Sequence, residues 1–277
     1  MGKIIAFANQ KGGVGKTTSC VNVSAYMAAM GKKVLVVDID PQGNATSGYG
    51  LRKNKLQRSV YSLLIDGVNP LEAIHRTGVD NLYIIPSNID LAGAEVELVP
   101  FSEREKVLKK VLQRLKNEYD YVCIDCPPSL GLLTINALAA ADSVLIPIQG
   151  EFFALEGLSQ LMNTIKLVKK ILNPSLEIEG VALTLYDPRS NLVLNVADEI
   201  TKLFGKKVFT TKIPRNVRLG EAPSYGLPIM QYEPRSSGAL AYKALTEEVL
   251  QRNNDKYIKI VSDRLLRKRL PPQGETK

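Results

Sequence analysis

Residues 11–18, Lys-Gly-Gly-Val-Gly-Lys-Thr-Thr, constrain this chain more than any other segment. An apolar run at 4–8 precedes them and a helical pattern begins near Thr17, which is the strand–loop–helix setting of a phosphate-binding loop. Glycines in such a loop let backbone N–H groups close around phosphate oxygens, and the helix points its positive end at the same anion. We expect Lys16 to reach the β- and γ-phosphates and the Thr17 hydroxyl to bind Mg²⁺.

The loop departs from the common pattern G-x-x-x-x-G-K-[ST], because Gln10 stands where the first glycine is expected and a second lysine, Lys11, follows it. This is the deviant form of the Walker A loop. The candidate nucleotide contacts in the loop are Lys11, Gly12, Gly13, Val14, Gly15, Lys16, Thr17 and Thr18.

Apolar, β-branched runs alternate with longer amphipathic stretches. Strands are predicted at 4–8, 33–38, 82–86, 121–124, 144–148, 180–185 and 208–213. Helices are predicted at 17–30, 60–65, 70–74, 102–117, 131–140, 154–172, 191–204 and 237–252. Because the strands are short and apolar on both faces, we expect helices to cover both sides of a parallel sheet. The alternation predicts an α/β fold of the P-loop NTPase type, with a doubly wound, mostly parallel sheet and right-handed crossovers.

Ligands of open α/β sheets bind beyond the carboxyl ends of the strands. Three candidate groups follow apolar runs and should therefore converge: the loop after residue 8, the pair Asp38 and Asp40, and Asp125. Asp125 is placed as a Walker B carboxylate that holds Mg²⁺ together with Thr17. Asp38 and Asp40 share one face of an extended chain; the alternative for Asp40 is a capping role in a turn or helix.

Four motifs together resemble those of the ParA/MinD group of ATPases, and most of all the chromosomal ParA (Soj) type that partitions DNA. They are KGGVGKTT and the segments at 37–44, 124–131 and 213–218. The resemblance runs from about residue 2 to 250. It implies an ATPase of weak basal activity that uses ATP and Mg²⁺, with Lys11, Lys16 and Asp40 as its catalytic residues. By this resemblance Asp40 orients or activates the attacking water.

The resemblance further implies an ATP-dependent homodimer in which each Lys11 reaches the partner's nucleotide. It implies binding of nonspecific double-stranded DNA through Arg189 and Arg218, and hydrolysis stimulated by a ParB-type centromere-binding protein. It places Pro214 and Asn216 beside the adenine.

The chain has 277 residues and a formal net charge of +8. We expect a single P-loop ATPase domain at 1–252 and a basic, partly disordered C-terminal extension at 253–277. A basic tail attracts polyanions, either nucleic acid or acidic lipid. No apolar run approaches the roughly 20 residues that a membrane span needs, and a strand is predicted within three residues of the start, which leaves no room for a signal peptide. We therefore expect no integral membrane association and a cytoplasmic, nucleoid-associated protein.

Two alternatives use the same nucleotide chemistry. A MinD-like, membrane-associated ATPase that positions cell division would use the tail as an amphipathic helix, since Ile258, Val261 and Leu265 are spaced i, i+3, i+7 among basic residues. An iron–sulfur ATPase would need exposed cysteines. Cys123 and Cys126 should instead point to opposite faces of a strand. His75 is expected on a surface helix, without a catalytic role.

Overall fold

The computed structural model describes residues 2–257, in which seven strands form one sheet of order β3-β4-β2-β5-β1-β6-β7. Residues 258–277, which include the predicted amphipathic tail, lie outside the described part. In that part only β3, at the edge, runs antiparallel to its neighbour. The strands are β1 (Lys3–Phe7), β2 (Val34–Asp38), β3 (His75–Arg76), β4 (Leu82–Ile85), β5 (Tyr121–Asp125), β6 (Ser143–Gln149) and β7 (Glu177–Thr184).

Within the described residues, ten α-helices connect and cover these strands, with short 3₁₀ and π turns between them. None of the helices in residues 2–257 combines the length and the apolar composition that crossing a membrane requires. The helices are α1 (Lys16–Ala29), α2 (Asn44–Gly48), α3 (Leu91–Glu97), α4 (Val107–Gln113), α5 (Leu132–Ala140), α6 (Ala154–Ile171), α7 (Asn191–Phe204), α8 (Val217–Glu221), α9 (Ile229–Tyr232) and α10 (Ser237–Arg252).

Both faces of the sheet are buried. Along β1, Ile4 and Ala6 belong to one apolar core and Ile5 and Phe7 to the other, because side chains alternate across a strand. Helices α4, α5 and α6 cover the first core, and α1 and α10 cover the second. The predicted doubly wound α/β fold is therefore confirmed.

The pairing register aligns three strand ends. In β1 and β2, Phe7 and Asp38 each stand opposite Asp125 at the end of β5. The loops that follow these strands therefore start at the same level of the sheet. This is the convergence that the positions of the motifs predicted.

The predicted strand at 208–213 is wrong. This segment forms one isolated bridge, between Val208 and Val181 of β7, and no continuous ladder. Two further backbone hydrogen bonds reach β7, from the Phe209 N–H to the Val181 carbonyl at 2.9 Å and from the Ile213 N–H to the Leu183 carbonyl at 2.8 Å. The reason lies in α10, whose side chains take the backbone groups that a strand would use. The Glu248 carboxylate accepts the N–H groups of Thr210 and Thr211 at 2.9 and 3.0 Å, and Arg252 donates to the Val208 carbonyl at 2.8 Å.

The predicted helix at 102–117 is largely wrong, since only α4 is α-helical there. The side chain of Asn136, on α5, binds backbone groups at the start of α4. Its amide N–H donates to the Arg104 carbonyl and its Oδ1 accepts the Leu108 N–H, so these groups are not paired within a longer helix. The predicted helices at 60–65 and 70–74 are single π and 3₁₀ turns. His75 lies on β3, paired with Ile84, and not on a helix.

The three cysteines are free and fully buried. Cys123 belongs to the core beneath α1 and α10, and Cys126 to the core on the other face. The expectation that they point to opposite sides is confirmed, and none of the three is exposed to hold a cluster.

Gly226 makes a close backbone contact between two turns. It has a φ of 66°, and a Cβ there would lie 2.5 Å from the Cα of Gly50, in the turn that follows α2. Only glycine combines a left-handed backbone with so short an approach.

We expect Gly226→Ala to lower Tm by roughly 3–10 °C, because both the backbone strain and the contact with Gly50 must be relieved. Gly67→Ala is the matched control: Gly67 has a φ of 65°, but nothing lies within 4 Å of a Cβ there. Its Tm should fall by about 2–4 °C at most. Equal shifts in differential scanning calorimetry would contradict the role of the close contact.

Candidate nucleotide-binding site

The loop at 11–15 is held at its flanks and open at its mouth. Thr184 at the end of β7 donates its hydroxyl to the Val14 carbonyl at 2.7 Å, and Asn9 accepts the Lys11 N–H at 3.1 Å. Gly13 has a φ of 74°, a left-handed conformation. A Cβ at Gly12 or Gly13 would meet nothing within 4 Å. The loop therefore leaves room at Gly12 and Gly13 for the close approach of an anion.

Helix α1 begins directly at the loop. Its N-cap is Gly15, with a φ of 83°, and no N-cap side chain satisfies the N–H groups of the first turn. Thr17 and Thr18 are half-buried in that turn. A helix start of this kind attracts phosphate.

Lys16 is almost buried, with 6% of its surface exposed, and its Nζ donates to the Lys11 carbonyl at 2.9 Å. Burial lowers the pKa of this ammonium group, and the nearby Asp125 and Asp40 carboxylates oppose that shift. Lys16 thus lies between the loop and the two carboxylates. Its hydrogen-bond acceptor is the Lys11 carbonyl, which is a weaker partner for an ammonium group than an anion.

Asp125 is fully buried, and neither of its carboxylate oxygens has a hydrogen-bond partner among the residues that the structure describes. Burial raises the pKa of this carboxyl group, and Asp38 adds to the rise. The Thr17 hydroxyl is near enough to oppose it, yet outside hydrogen-bonding geometry for either oxygen. A buried, unpaired carboxylate is costly. Together with a threonine hydroxyl it offers the hard oxygen ligands that Mg²⁺ takes, so these residues fit that ion.

Asp38 and Asp40 differ in their surroundings. Asp38 is saturated: its carboxylate accepts the backbone N–H and the hydroxyl of Thr46 at 2.8 and 2.7 Å and the Asp40 N–H at 3.2 Å. Burial raises the pKa of Asp38 to about 6, against these hydrogen bonds. Asp38 thereby anchors α2. Asp40 accepts the Gln42 N–H at 2.9 Å, so the turn-capping alternative is present in the structure.

Lys11 points away from its own loop. Its ammonium group forms an ion pair with Glu151, in the loop that follows β6. Sequence reasoning missed Glu151, although a carboxylate just beyond a strand end was the signal used for Asp125. Lys11 is thus half-exposed, with 34% of its side chain open to solvent, whereas Lys16 is almost buried.

Pro214 and Asn216 lie in the segment beside β7. Pro214 forms an isolated parallel β-bridge with Tyr186. Asn216 caps α8, since its side-chain oxygen accepts the Arg218 N–H at 2.9 Å. The amide of Asn216 also donates to Ser237 at 2.7 Å. Asn216 therefore has a structural task, and its contact with adenine stays a prediction.

Arg189 and Arg218 are exposed and paired with carboxylates. The Arg189 guanidinium donates to both Asp187 oxygens, at 2.9 and 2.8 Å, and lowers the pKa of that carboxyl group. Arg218 donates to Glu221 at 2.8 Å. The structure thus brings Lys16, Asp40 and Asp125 together, whereas both arginines stand on the surface.

Comparison with known proteins agrees with this geometry. A family profile described as an AAA domain matches residues 2–178. The sporulation initiation inhibitor protein Soj of Bacillus subtilis (strain 168) is 59% identical over 249 residues, 90% of this chain and 98% of that protein. The chromosome-partitioning ATPase Soj of Treponema pallidum (strain Nichols) is 51% identical over 256 residues, 92% of this chain and 100% of that protein.

Among solved structures, that of cobyrinic acid a,c-diamide synthase from Mycobacterium smegmatis with a bound ATP analog and magnesium has a TM-score of 0.80. It is 36% identical and covers 94% of this chain and 100% of its own. That protein holds its nucleotide and metal in the same fold. The deviant phosphate loop, the shared sheet and the identity to Soj proteins over nine-tenths of the chain lead to one conclusion: the chain belongs to the ParA/Soj family of chromosome-partitioning ATPases, which work with ATP and Mg²⁺.

Proposed function

We propose that this protein is an ATP-dependent DNA-partitioning switch. Its ATP-bound form is a sandwich dimer that binds nonspecific DNA at the nucleoid, and hydrolysis stimulated by a ParB-type centromere-binding protein resets it. The observation that carries the proposal is the buried, unpartnered carboxylate of Asp125 beside Lys16, at the end of a strand that abuts an open phosphate loop. Residues 1–252 form the ATPase domain, and 253–277 are a basic extension.

In the proposed site, residues 11–18 hold the triphosphate. Lys16 exchanges the Lys11 carbonyl for phosphate oxygens, and the first turn of α1 supplies N–H groups to the same anion. Thr17 and Asp125 hold Mg²⁺, which neutralises charge on the phosphates when it is bound. The metal also relieves the cost of the buried carboxylate.

Asp40 is the proposed residue that orients the attacking water. Its Oδ1 is fixed by the Gln42 N–H, which sets the plane of the carboxylate. Asp40 is 6% exposed and lies within electrostatic range of Lys16. A carboxylate with a fixed plane and little solvent around it can position a water molecule without exchanging it for bulk water.

Lys11 is proposed to act across the dimer. Its partner within the chain, Glu151, is 43% exposed at its side chain, and an ion pair at such exposure contributes only about 0.2–1 kcal/mol. A second subunit's triphosphate therefore competes easily for Lys11. Cationic charge supplied by a partner stabilises the transferring phosphoryl group, as an arginine finger does.

DNA binding is proposed for Arg189 and Arg218. In the DNA-free protein Arg189 pairs with Asp187 and Arg218 pairs with Glu221. On DNA, a phosphate replaces the carboxylate as the partner of each arginine. Contacts to phosphates release counterions and carry no sequence information, so binding is salt-dependent and nonspecific. Dimerisation doubles the number of contacts, which couples the nucleotide to DNA affinity.

The first prediction from the proposed function concerns DNA. In the Asp40→Ala background, which retains ATP, the protein should cosediment with random-sequence DNA in ATP and not in ADP. Arg218→Glu should weaken this binding on the order of tenfold, since a repulsive charge replaces a phosphate contact in each subunit. Lys166→Glu, an exposed charge reversal on α6, is the matched control.

Cosedimentation with anionic liposomes is measured in parallel. Liposome binding without DNA binding, abolished by deletion of residues 255–277, would instead place the protein with the MinD-like ATPases.

The second prediction separates the two lysines. Lys16→Ala should abolish ATP binding, measured with a fluorescent ATP analog. Lys11→Ala should bind ATP as a monomer in sedimentation velocity and lose about 10³-fold or more of the stimulated hydrolysis rate. An ATP-dependent dimer of Lys11→Ala would contradict the role across the interface.

The third prediction concerns the metal site. Asp125→Asn should raise the free energy of unfolding of the ligand-free protein by about 1–2 kcal/mol, because a buried unpaired charge is removed. The same variant should lose the stabilisation by Mg²⁺-ATP that the parent gains, about 2.7 kcal/mol at a hundredfold excess over Kd. Denaturant titration with and without Mg²⁺-ATP measures both. A less stable ligand-free variant would be inconsistent with an unpaired carboxylate.

A further inference from the structure

The segment around α3 is apolar on two opposite sides. Leu91, Ala94 and Leu98 are fully buried against the protein. On the other side stand four exposed apolar residues at helical spacing, and Phe101 follows them. These four residues are here called the α3 face: Ile89, Ala92, Val96 and Val99.

The α3 face is markedly exposed. Ile89, Val96 and Val99 have 66%, 74% and 55% of their surfaces open to solvent. A helix at the surface of a soluble protein normally pairs one apolar stripe with a polar outer face. An apolar outer stripe beside a groove marks an interaction site.

The segment that carries the α3 face is acidic. Residues 88–101 carry Asp90, Glu95 and Glu97 and no basic residue, in a chain whose formal net charge is +8. Two basic residues from outside the segment adjoin it: Arg104, which donates to the Val99 carbonyl at 3.2 Å, and Lys53, which lines the neighbouring cavity. A basic partner gains attraction from this surface. In a symmetric dimer through this face, the acidic residues of the two copies would face and repel one another. An acidic lipid surface would be repelled for the same reason.

The α3 face also adjoins both loops that surround the nucleotide. A cavity of about 510 Å³ has Pro41 and Gln42, which follow Asp40, on one side and residues 88–90 on another; Lys53, Asn54 and Leu56 complete its lining. The contact with the second loop is made by Glu95. Its Oε1 accepts the Leu133 N–H at 3.3 Å, at the start of the helix that follows Asp125.

We infer that the α3 face is the docking site for a basic, amphipathic peptide segment of the protein that stimulates hydrolysis. The inference rests on the proposed function and assigns the partner's contact. The apolar side of the segment packs on Ile89, Val96 and Val99, and its basic side chains pair with Asp90 and Glu97. Its end enters the cavity beside Pro41 and Gln42, where it shifts the turn that fixes Asp40.

The experiment measures binding of a fluorescent 18-residue peptide of lysine and leucine at helical spacing, by fluorescence anisotropy, to the full chain with ATP. A counterpart with glutamate in place of lysine tests charge. We expect the basic peptide to bind, the acidic one to bind at least about tenfold more weakly, and Val96→Ser/Val99→Ser to lose about tenfold in affinity for the basic peptide.

The matched control is Leu167→Ser/Ile171→Ser, which removes two apolar side chains of similar exposure, 58% and 64%, from α6. Its affinity for the basic peptide should equal that of the parent. The basic peptide should also raise the ATPase rate of the parent and of this control, but not of Val96→Ser/Val99→Ser.

Equal peptide affinity in the two double variants, or equal binding of the acidic peptide, would overturn the inference. So would loss of ATP-dependent self-association in Val96→Ser/Val99→Ser, which would make the α3 face an interface between copies. DNA cosedimentation should be unchanged in both double variants. Absence of DNA binding in the parent would instead refute the proposed function, whatever the peptide does.

Discussion

The buried carboxylate of Asp125 is the constraint around which this site is organised. It sits fully buried at the end of the central strand β5, without a hydrogen-bond donor in the part of the chain that the structure describes. Leaving such a group unpaired costs free energy that the rest of the fold must offset. A cation beside it, whether Lys16 or a metal, reduces that cost. The ligand-free protein is thus strained at the place where a nucleotide and its metal would bind.

The pairing of the strands brings acidic residues together at this end of the sheet. Asp38 and Asp125 are paired in register across β2 and β5, so two acidic groups are held at one level by backbone hydrogen bonds. The Asp38 carboxylate is stabilised by the hydrogen bonds that it accepts from Thr46, and it anchors α2. Asp125 receives no such help. The same residue type at two adjacent strand ends therefore has two different tasks, and the difference comes from the donors around each.

The loop after Asp40 connects this centre to more distant surfaces. Helix α2 begins at Asn44, and its following turn meets Gly226 in a backbone contact that leaves no space for a side chain. The turn at Gly226 follows α8, which carries Arg218. On the other side, Pro41 and Gln42 share a cavity with the start of the α3 segment. Packed elements therefore run without interruption from the loop after Asp40 to the turn that follows α8, and the same loop borders the α3 segment. Packed elements of this kind change position in discrete steps and not gradually.

Most of the fold and part of the site were predicted from the sequence. The features that were not predicted are short elements or contacts between distant residues. The strands of the sheet centre and the long helices α1, α5, α6, α7 and α10 were predicted because each has a periodic pattern over enough residues. The short helices α2, α3, α8 and α9 have four to seven residues each and give no such window. Of the site, the phosphate loop and Asp125 were predicted from local spacing. The ion pair of Lys11 with Glu151 joins residues 140 apart in the chain, and no local pattern could indicate it.

At residues 208–213, a local pattern predicted an element that contacts with a distant helix prevent. These residues have the apolar, β-branched composition of a strand, but Glu248 and Arg252 of α10 bind their backbone and interrupt the pairing with β7. The sequence by itself determined the fold class, the phosphate loop and the acidic strand ends, because these depend on residue spacing along short stretches of chain. Only the tertiary structure decided which carboxylate is satisfied and which is left unpaired, where Lys11 points, and which apolar side of α3 stays exposed, because each of these depends on donors and surfaces contributed by distant parts of the chain.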